Sequence, residues 1–209
     1  LAFRAVNDSK VEDGGNVSFF IDSRDPRISR TEPRRGFANG LFRADFKEDN
    51  PESLFLFYGN SVRNKTLDIG NDCVLERGRY KCEIMVDLSD FDGKEIEYWF
   101  ELIDIAGNVD ESRHYDLDVD TTLPVINSLD FSVDRRRVEF VINVTEDNFD
   151  EINFIDWEER RPRERGLCSR LREGVCKVRR SFRVGDHNLT ISVLDDAGNR
   201  VERGVGFVV

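Results

Sequence analysis

Asp104-Ile105-Ala106-Gly107-Asn108 returns almost letter for letter as Asp195-Asp196-Ala197-Gly198-Asn199, and this repetition decides the fold. Each copy follows an alternating apolar run, Tyr98, Phe100 and Leu102 in the first and Leu189, Ile191 and Val193 in the second, and each precedes another extended stretch. Asp and Asn side chains bond to nearby backbone, and Gly accepts the positive φ that a tight reversal demands. The pentapeptide is therefore predicted to be a β-hairpin turn. Turns repeated in matching contexts imply repeated domains.

Working outward, Asp22, Pro26 and Ile28 match Asp120, Pro124 and Ile126 at an offset of 98 residues. The same offset carries Phe42 onto Phe140 and Glu48-Asp49-Asn50 onto Glu146-Asp147-Asn148. It then falls to 95 between Cys73 and Cys168, 94 between Cys82 and Cys176, and 91 between the two turns. The second copy has shorter loops between common landmarks, which a fixed strand scaffold tolerates. Strands are expected near 41–47, 53–58, 81–88, 95–103 and 113–119, then 137–145, 151–157, 175–184, 187–194 and 201–209. No stretch keeps a helical period over twelve residues, and 89–93 is at most a turn. Many short strands punctuated by Gly, Asp and Asn imply an all-β sandwich or barrel.

Residues 1–22 are expected to form the closing hairpin of an incomplete repeat, with extended pieces at 1–6 and 16–21 joined across 7–15. A lone hairpin is marginal in water, so it must pack on something else. With a strand-like start at Leu1 rather than a methionine, the chain is expected to be a mature or excised piece of something longer. The expected division is a hairpin over 1–22, one sandwich over 23–120 and a second over 121–209.

With 209 residues, 39% of them hydrophobic, the chain can bury two cores. Its net charge of −11 argues against a nucleic-acid partner. The exception is local: Arg160, Arg161, Arg163, Arg165, Arg170 and Arg172 crowd around Cys168, interleaved with Glu158, Glu159, Glu164 and Glu173, as in a solvated, salt-bridged loop. No run approaches the ~20 apolar residues of a membrane span, and there is no secretory hydrophobic region at the start.

The cysteines fall as Cys73 with Cys82 and Cys168 with Cys176, one close pair in each half. Neither pair has a second Cys or His pair beside it to complete a zinc site, so disulfides and an oxidising compartment are expected. Four Asn-x-Ser/Thr sequons, at Asn16, Asn64, Asn143 and Asn188, are candidate glycosylation sites of an extracellular glycoprotein.

The Asp-x-Ala-Gly-Asn hairpins, the Val-Asp-Thr-Thr-Leu-Pro-Val-Ile boundary at 119–126 and the renewed strand pattern after it resemble the tandem immunoglobulin-like domains of prokaryotic cell-surface proteins. The resemblance spans essentially the whole chain. It implies two-sheet antiparallel sandwiches of roughly 90–100 residues strung end to end. Such modules occur in S-layer proteins, adhesins and the tails of secreted proteases and glycan hydrolases, so the fold leaves the function open. The close cysteine pairs depart from the long-range inter-sheet disulfide of antibody domains.

No catalytic constellation is present: there is no Gly-x-Ser-x-Gly, no His-Glu-x-x-His and no glycine-rich phosphate loop, and His114 and His187 leave little material for acid–base work. The chain is expected not to be an enzyme and to need no organic cofactor. Calcium is the one ligand the pattern suggests. Hard cations take several oxygen ligands. Asp118 and Asp120 at a boundary, with Glu146, Asp147 and Asn148 in the next loop, would supply them. Asp22, Asp25, Glu48, Asp49 and Asn50 form the equivalent set one repeat earlier. The competing reading makes each boundary Asp a turn cap and each Glu-Asp-Asn a polar loop tip. Alternation places Trp99 on the acidic face of its strand beside Glu95, Glu97 and Glu101, either to contact a sugar or partner or to be covered by a neighbouring loop or strand.

The leading expectation is a non-catalytic structural or adhesive segment of an extracellular surface protein, spacing or presenting other parts of a longer chain. Its partners would be domains of the same chain, neighbouring copies, surface proteins or glycans. Alternatives are an accessory module of a secreted enzyme and a filament subunit assembled by strand complementation. In this reading the turn motif is a ruler that marks where each domain ends.

Overall fold

In the computed structural model of the protein, residues 5–7, 10–12, 22–60 and 63–209 are described. They form antiparallel β-sandwiches of the immunoglobulin type. At the start, β1 (Ala5–Asn7) pairs antiparallel with β2 (Lys10–Glu12), whereas the expected hairpin paired 1–6 with 16–21. The expected strand at 16–21 lies outside the described residues.

The first sandwich has two sheets. One runs β3 (Arg27–Glu32), β5 (Leu41–Lys47), β9 (Arg79–Met85), β8 (Cys73–Glu76). The other runs β4 (Phe37–Ala38), β12 (Tyr115–Val119), β10 (Glu95–Asp104), β6 (Pro51–Tyr58), β7 (Arg63–Leu67), with β11 (Val109–Glu111) also on β10. Among the described residues, only β4 and β12 pair in parallel. A single helical turn, α1 (Ile69–Asp72), is capped by the Asp68 carboxylate and carries the chain from β7 to β8 on the opposite sheet.

The second sandwich repeats this plan with fewer strands. One sheet runs β13 (Val125–Asp134), β14 (Arg137–Thr145), β17 (Val175–Ser181). The other runs β16 (Arg165–Cys168), β15 (Phe149–Asp156), β18 (Asp186–Asp195), β19 (Arg200–Val208).

Period-2 alternation builds both cores. Along β10, Ile96, Tyr98, Phe100 and Leu102 are fully buried and meet Phe42, Phe46, Leu54 and Leu56. Along β18, Leu189, Ile191 and Val193 meet Val138, Phe140, Ile142 and Ile152. Among the described residues, the buried side chains form two clusters, one per sandwich.

Both expected disulfides are present, yet they are not equivalent. Cys73–Cys82 joins directly opposed residues of β8 and β9 within one sheet. Cys168–Cys176 joins β16 to β17 and so ties the two sheets together. The offset aligned the pairs in sequence. The difference arises because the first copy spends α1 in changing sheets before Cys73, whereas β16, bearing Cys168, stays beside β15.

Candidate functional site

The two pentapeptide turns are alike atom for atom. In the first, Asp104 Oδ1 accepts from the amides of Ala106 (2.8 Å) and Asn108 (2.9 Å), and Asn108 Nδ2 donates to Asp104 Oδ2 (2.8 Å). In the second, Asp195 Oδ1 accepts from Ala197 (2.9 Å) and Asn199 (2.8 Å), and Asn199 Nδ2 donates to Asp195 Oδ2 (2.8 Å). Gly107 and Gly198 hold φ of 84° and 85°, the left-handed region where a side chain is strained.

Each turn grips the segment that enters its own sandwich. Asn108 Nδ2 donates to the Arg24 carbonyl (3.3 Å); Asn199 Nδ2 donates to the carbonyls of Asp120 (3.0 Å) and Thr122 (3.2 Å). The Ile105 amide donates to Asn50 O (3.1 Å) and the Asp196 amide to Asn148 O (2.8 Å), which fixes the Glu-Asp-Asn loop. Within that loop Glu48 and Glu146 accept from the amides of Asn50 and Asn148, both at 2.8 Å. Asn148 Nδ2 then donates to Asp120 Oδ2 (2.8 Å).

The linker between the sandwiches is also held from the other side. Asp92, in the first sandwich, accepts from the Thr121 amide (2.7 Å) and Thr121 Oγ1 (2.8 Å), and these donors keep its carboxyl below the usual range. A crevice of about 600 Å³ opens where Arg34, Phe37 and Asn39 of the first sandwich face Asp195 to Gly198 of the second.

Among the described residues, two carboxylate clusters result. Asp22, Glu48 and Asp104 converge at one end of the first sandwich, and Asp120, Glu146 and Asp195 at the junction, with ligand atoms within 4.8 Å of one another in each set. Of the residues proposed from sequence, Asp22, Glu48, Asp120 and Glu146 are in the clusters, and Asn148 is bonded to one of them. Asp25, Asp49, Asp118 and Asp147 do not join them and are exposed, while exposed Asn50 donates its backbone amide to Glu48. Asp104 and Asp195 are the members that the sequence reading missed, because it treated the turn as a ruler alone. The signal was available: both repeats keep the Asp at the turn's first position.

The two clusters differ electrostatically. Burial pushes Asp104 up, but donors from Asn108, Ala106 and Gly107 outweigh it and hold the carboxyl low. Asp195 is pushed up by burial, with the Asp120 charge adding to it against the bonds from Asn199 and Ala197. Glu146 is likewise raised by burial and by the charges of Asp195 and Asp120.

Trp99 follows the second of its two readings, cover by neighbouring elements. It is only 9% exposed, stacked on Phe57 at 5.0 Å and on His114 at 4.2 Å between ring centroids. Its own neighbours cover both faces. Among the sequons, Asn64, Asn143 and Asn188 are exposed on strands, and Asn16 lies outside the described residues. The arginine-rich loop is less salt-bridged than expected. Arg165 pairs with Glu159, and Arg200 with Glu164, but Arg160, Arg161, Arg163 and Arg183 make no ion pair among the described residues.

No protein-family profile matches the chain, and no curated protein matches it in sequence. Among solved structures it is similar to the FN1–FN3 domains of chicken CNTN1, with a TM-score of 0.53 and 12% identity over 88% of this chain and 68% of that one. It is also similar to the fibronectin(III)-like modules of CbhA from Clostridium thermocellum, with a TM-score of 0.42 and 12% identity over 88% and 93% of the two chains. The first likeness shows the fold alone, that of immunoglobulin or fibronectin-III type sandwiches.

Proposed function

We propose that this chain is a non-catalytic spacer segment of an extracellular surface protein, holding other parts of a longer chain at a set distance and orientation. The observation that carries this reading is the doubly held linker. Asp92 grips Thr121 from one sandwich while Asn148 and Asn199 grip Asp120 and Thr122 from the other. A flexible tether needs none of these bonds; a spacer that transmits orientation needs them all. The two disulfides suit an oxidising compartment. Small-angle scattering tests the reading: the wild-type chain should give one narrow interdomain distance, and Asp92→Ala with Asn199→Ala should broaden it. A wild-type profile as broad as the double variant's would remove the spacer function.

Calcium at the carboxylate clusters is a second reading, favoured by the raised carboxyls of Glu146 and Asp195. Three like charges at a partly dry junction are relieved by a proton or by a hard cation, and calcium accepts this all-oxygen set. Asp120, Glu146 and Asp195 would hold it at the junction, and Asp22, Glu48 and Asp104 one repeat earlier. Calorimetric titration of chelator-treated protein should show heat and a raised melting temperature at millimolar calcium; neither appearing would remove this reading.

A further inference from the structure

The outer face of the sheet containing β18 breaks two local rules at one place. Asn is disfavoured in strands, yet exposed Asn188 sits in β18, which is paired on both sides, to β15 and β19. Directly opposite Asn188 and Thr190 on β19 are Gly206 and Gly204. Neither glycine has a positive φ; a Cβ would meet nothing within 4 Å at Gly204 and only the His187 carbonyl, at 3.7 Å, at Gly206. Neither backbone conformation nor packing explains them. Glycine inside a strand often marks the close approach of a ligand or another chain.

On the other side stands Trp157, immediately after β15. The residue is 53% exposed, its indole Nε1 donates to Thr190 Oγ1 (2.9 Å) and its amide to Asn188 O (2.9 Å). Asn188 thus lies between an open aromatic ring and a bare glycine strip. The corresponding face of the first sandwich is closed by its own Phe57–Trp99–His114 stack. Asn188-Leu189-Thr190 is a sequon, so the residue between ring and strip can itself carry what covers them.

We propose that Asn188 bears an N-linked glycan whose first pyranose lies along this face, its C–H side against the Trp157 indole and its body over Gly204 and Gly206. The bond joins Asn188 Nδ2 to the anomeric carbon of a sugar supplied by a lipid-linked glycan donor. Nδ2 gives up one proton and the donor's lipid phosphate leaves. Attachment precedes folding, because in the folded chain β18 is paired on both sides.

The inference rests on the extracellular reading, and the test separates the two. Peptide mass spectrometry of the protein from its natural cells should find sugar on Asn188. Iodide quenching of tryptophan fluorescence then reports Trp157, since Trp99 is covered on both faces. Enzymatic removal of the glycans should raise quenching, and Asn188→Gln should start high and not respond. An unmodified Asn188, unchanged quenching on removal, or protection of Trp157 by a free oligosaccharide instead would each overturn the proposal. Asn188 bare with both disulfides formed defeats this inference alone; bare sequons with four free thiols defeat the extracellular reading as well.

Discussion

His187 is buried against Phe182 and Phe207, with Nδ1 2.6 Å from Asp156 Oδ2 and Nε2 2.9 Å from the Arg183 carbonyl. Both ring nitrogens face acceptors, and only the imidazolium can donate twice. Burial lowers its pKa, but the Arg183 carbonyl and Asp156 outweigh that and raise it above 6.5. His114 is built the same way between Glu97 and Glu111, and is also raised overall against its desolvation. A pKa above its unfolded value means stabilisation that is complete below about 6.5 and lost as pH rises through the folded value. The denaturant midpoint should therefore fall as pH rises from about 6.5 through the folded values, and His187→Gln should reduce that slope, leaving the part due to His114 and to the junction carboxylates. An unchanged wild-type midpoint would show that the two imidazoliums contribute nothing. From sequence, two histidines were only too few for catalysis. Arg183 and Glu111 are local, but the second partner of each, Asp156 and Glu97, lies 31 and 17 residues away, a distance no local pattern encodes.

At the scale of elements, sequence was most legible where a strand buries alternate residues. Leu41–Lys47 and Arg137–Thr145 fall where alternation placed them, because each has a protein neighbour on both edges and a core on one face. Arg27–Glu32, Arg63–Leu67, Cys73–Glu76, Val125–Asp134 and Arg165–Cys168 were missed. They are edge strands with few buried residues, held by backbone ladders that carry no side-chain signature. The turn was legible as a turn, but its reach was not: that Asn199 meets Asp120 and Thr122 depends on a fold that closes 79 and 77 residues. Asn199→Ala removes three acceptors' donor at a buried site and should cost the second sandwich about 1–3 kcal/mol in denaturant unfolding. The cysteine pairs, separated by 9 and 8 residues, close loops of similar size. Each should contribute about 2–3 kcal/mol by the chain-entropy account. Replacing Cys168 and Cys176 by Ala should lower the second sandwich's melting transition and leave the first's in place, as read by calorimetry. Equal falls in both would mean that the two cores unfold as one.

For the whole molecule, the junction and the histidines respond to pH in the same direction for different reasons. Glu146 and Asp195 have folded-state pKa values raised by burial and by neighbouring carboxylates. Raised acids favour the folded state as pH falls through the folded pKa toward the unfolded one, and oppose it at neutral pH. Mild acid should thus suit the molecule best until ordinary carboxylates such as Asp92, held low by Thr121, begin to protonate and their contribution is lost. Glu146→Gln separates charge from geometry, because the amide oxygen still accepts from the Asn148 backbone while the negative charge is gone. In chelator-treated protein at neutral pH the variant's second sandwich should melt higher than wild type; near pH 4 the two should coincide. Added calcium should raise the melting temperature of wild type more than that of the variant. If both rise equally, the cation acts elsewhere and the junction carboxylates serve only to hold the linker.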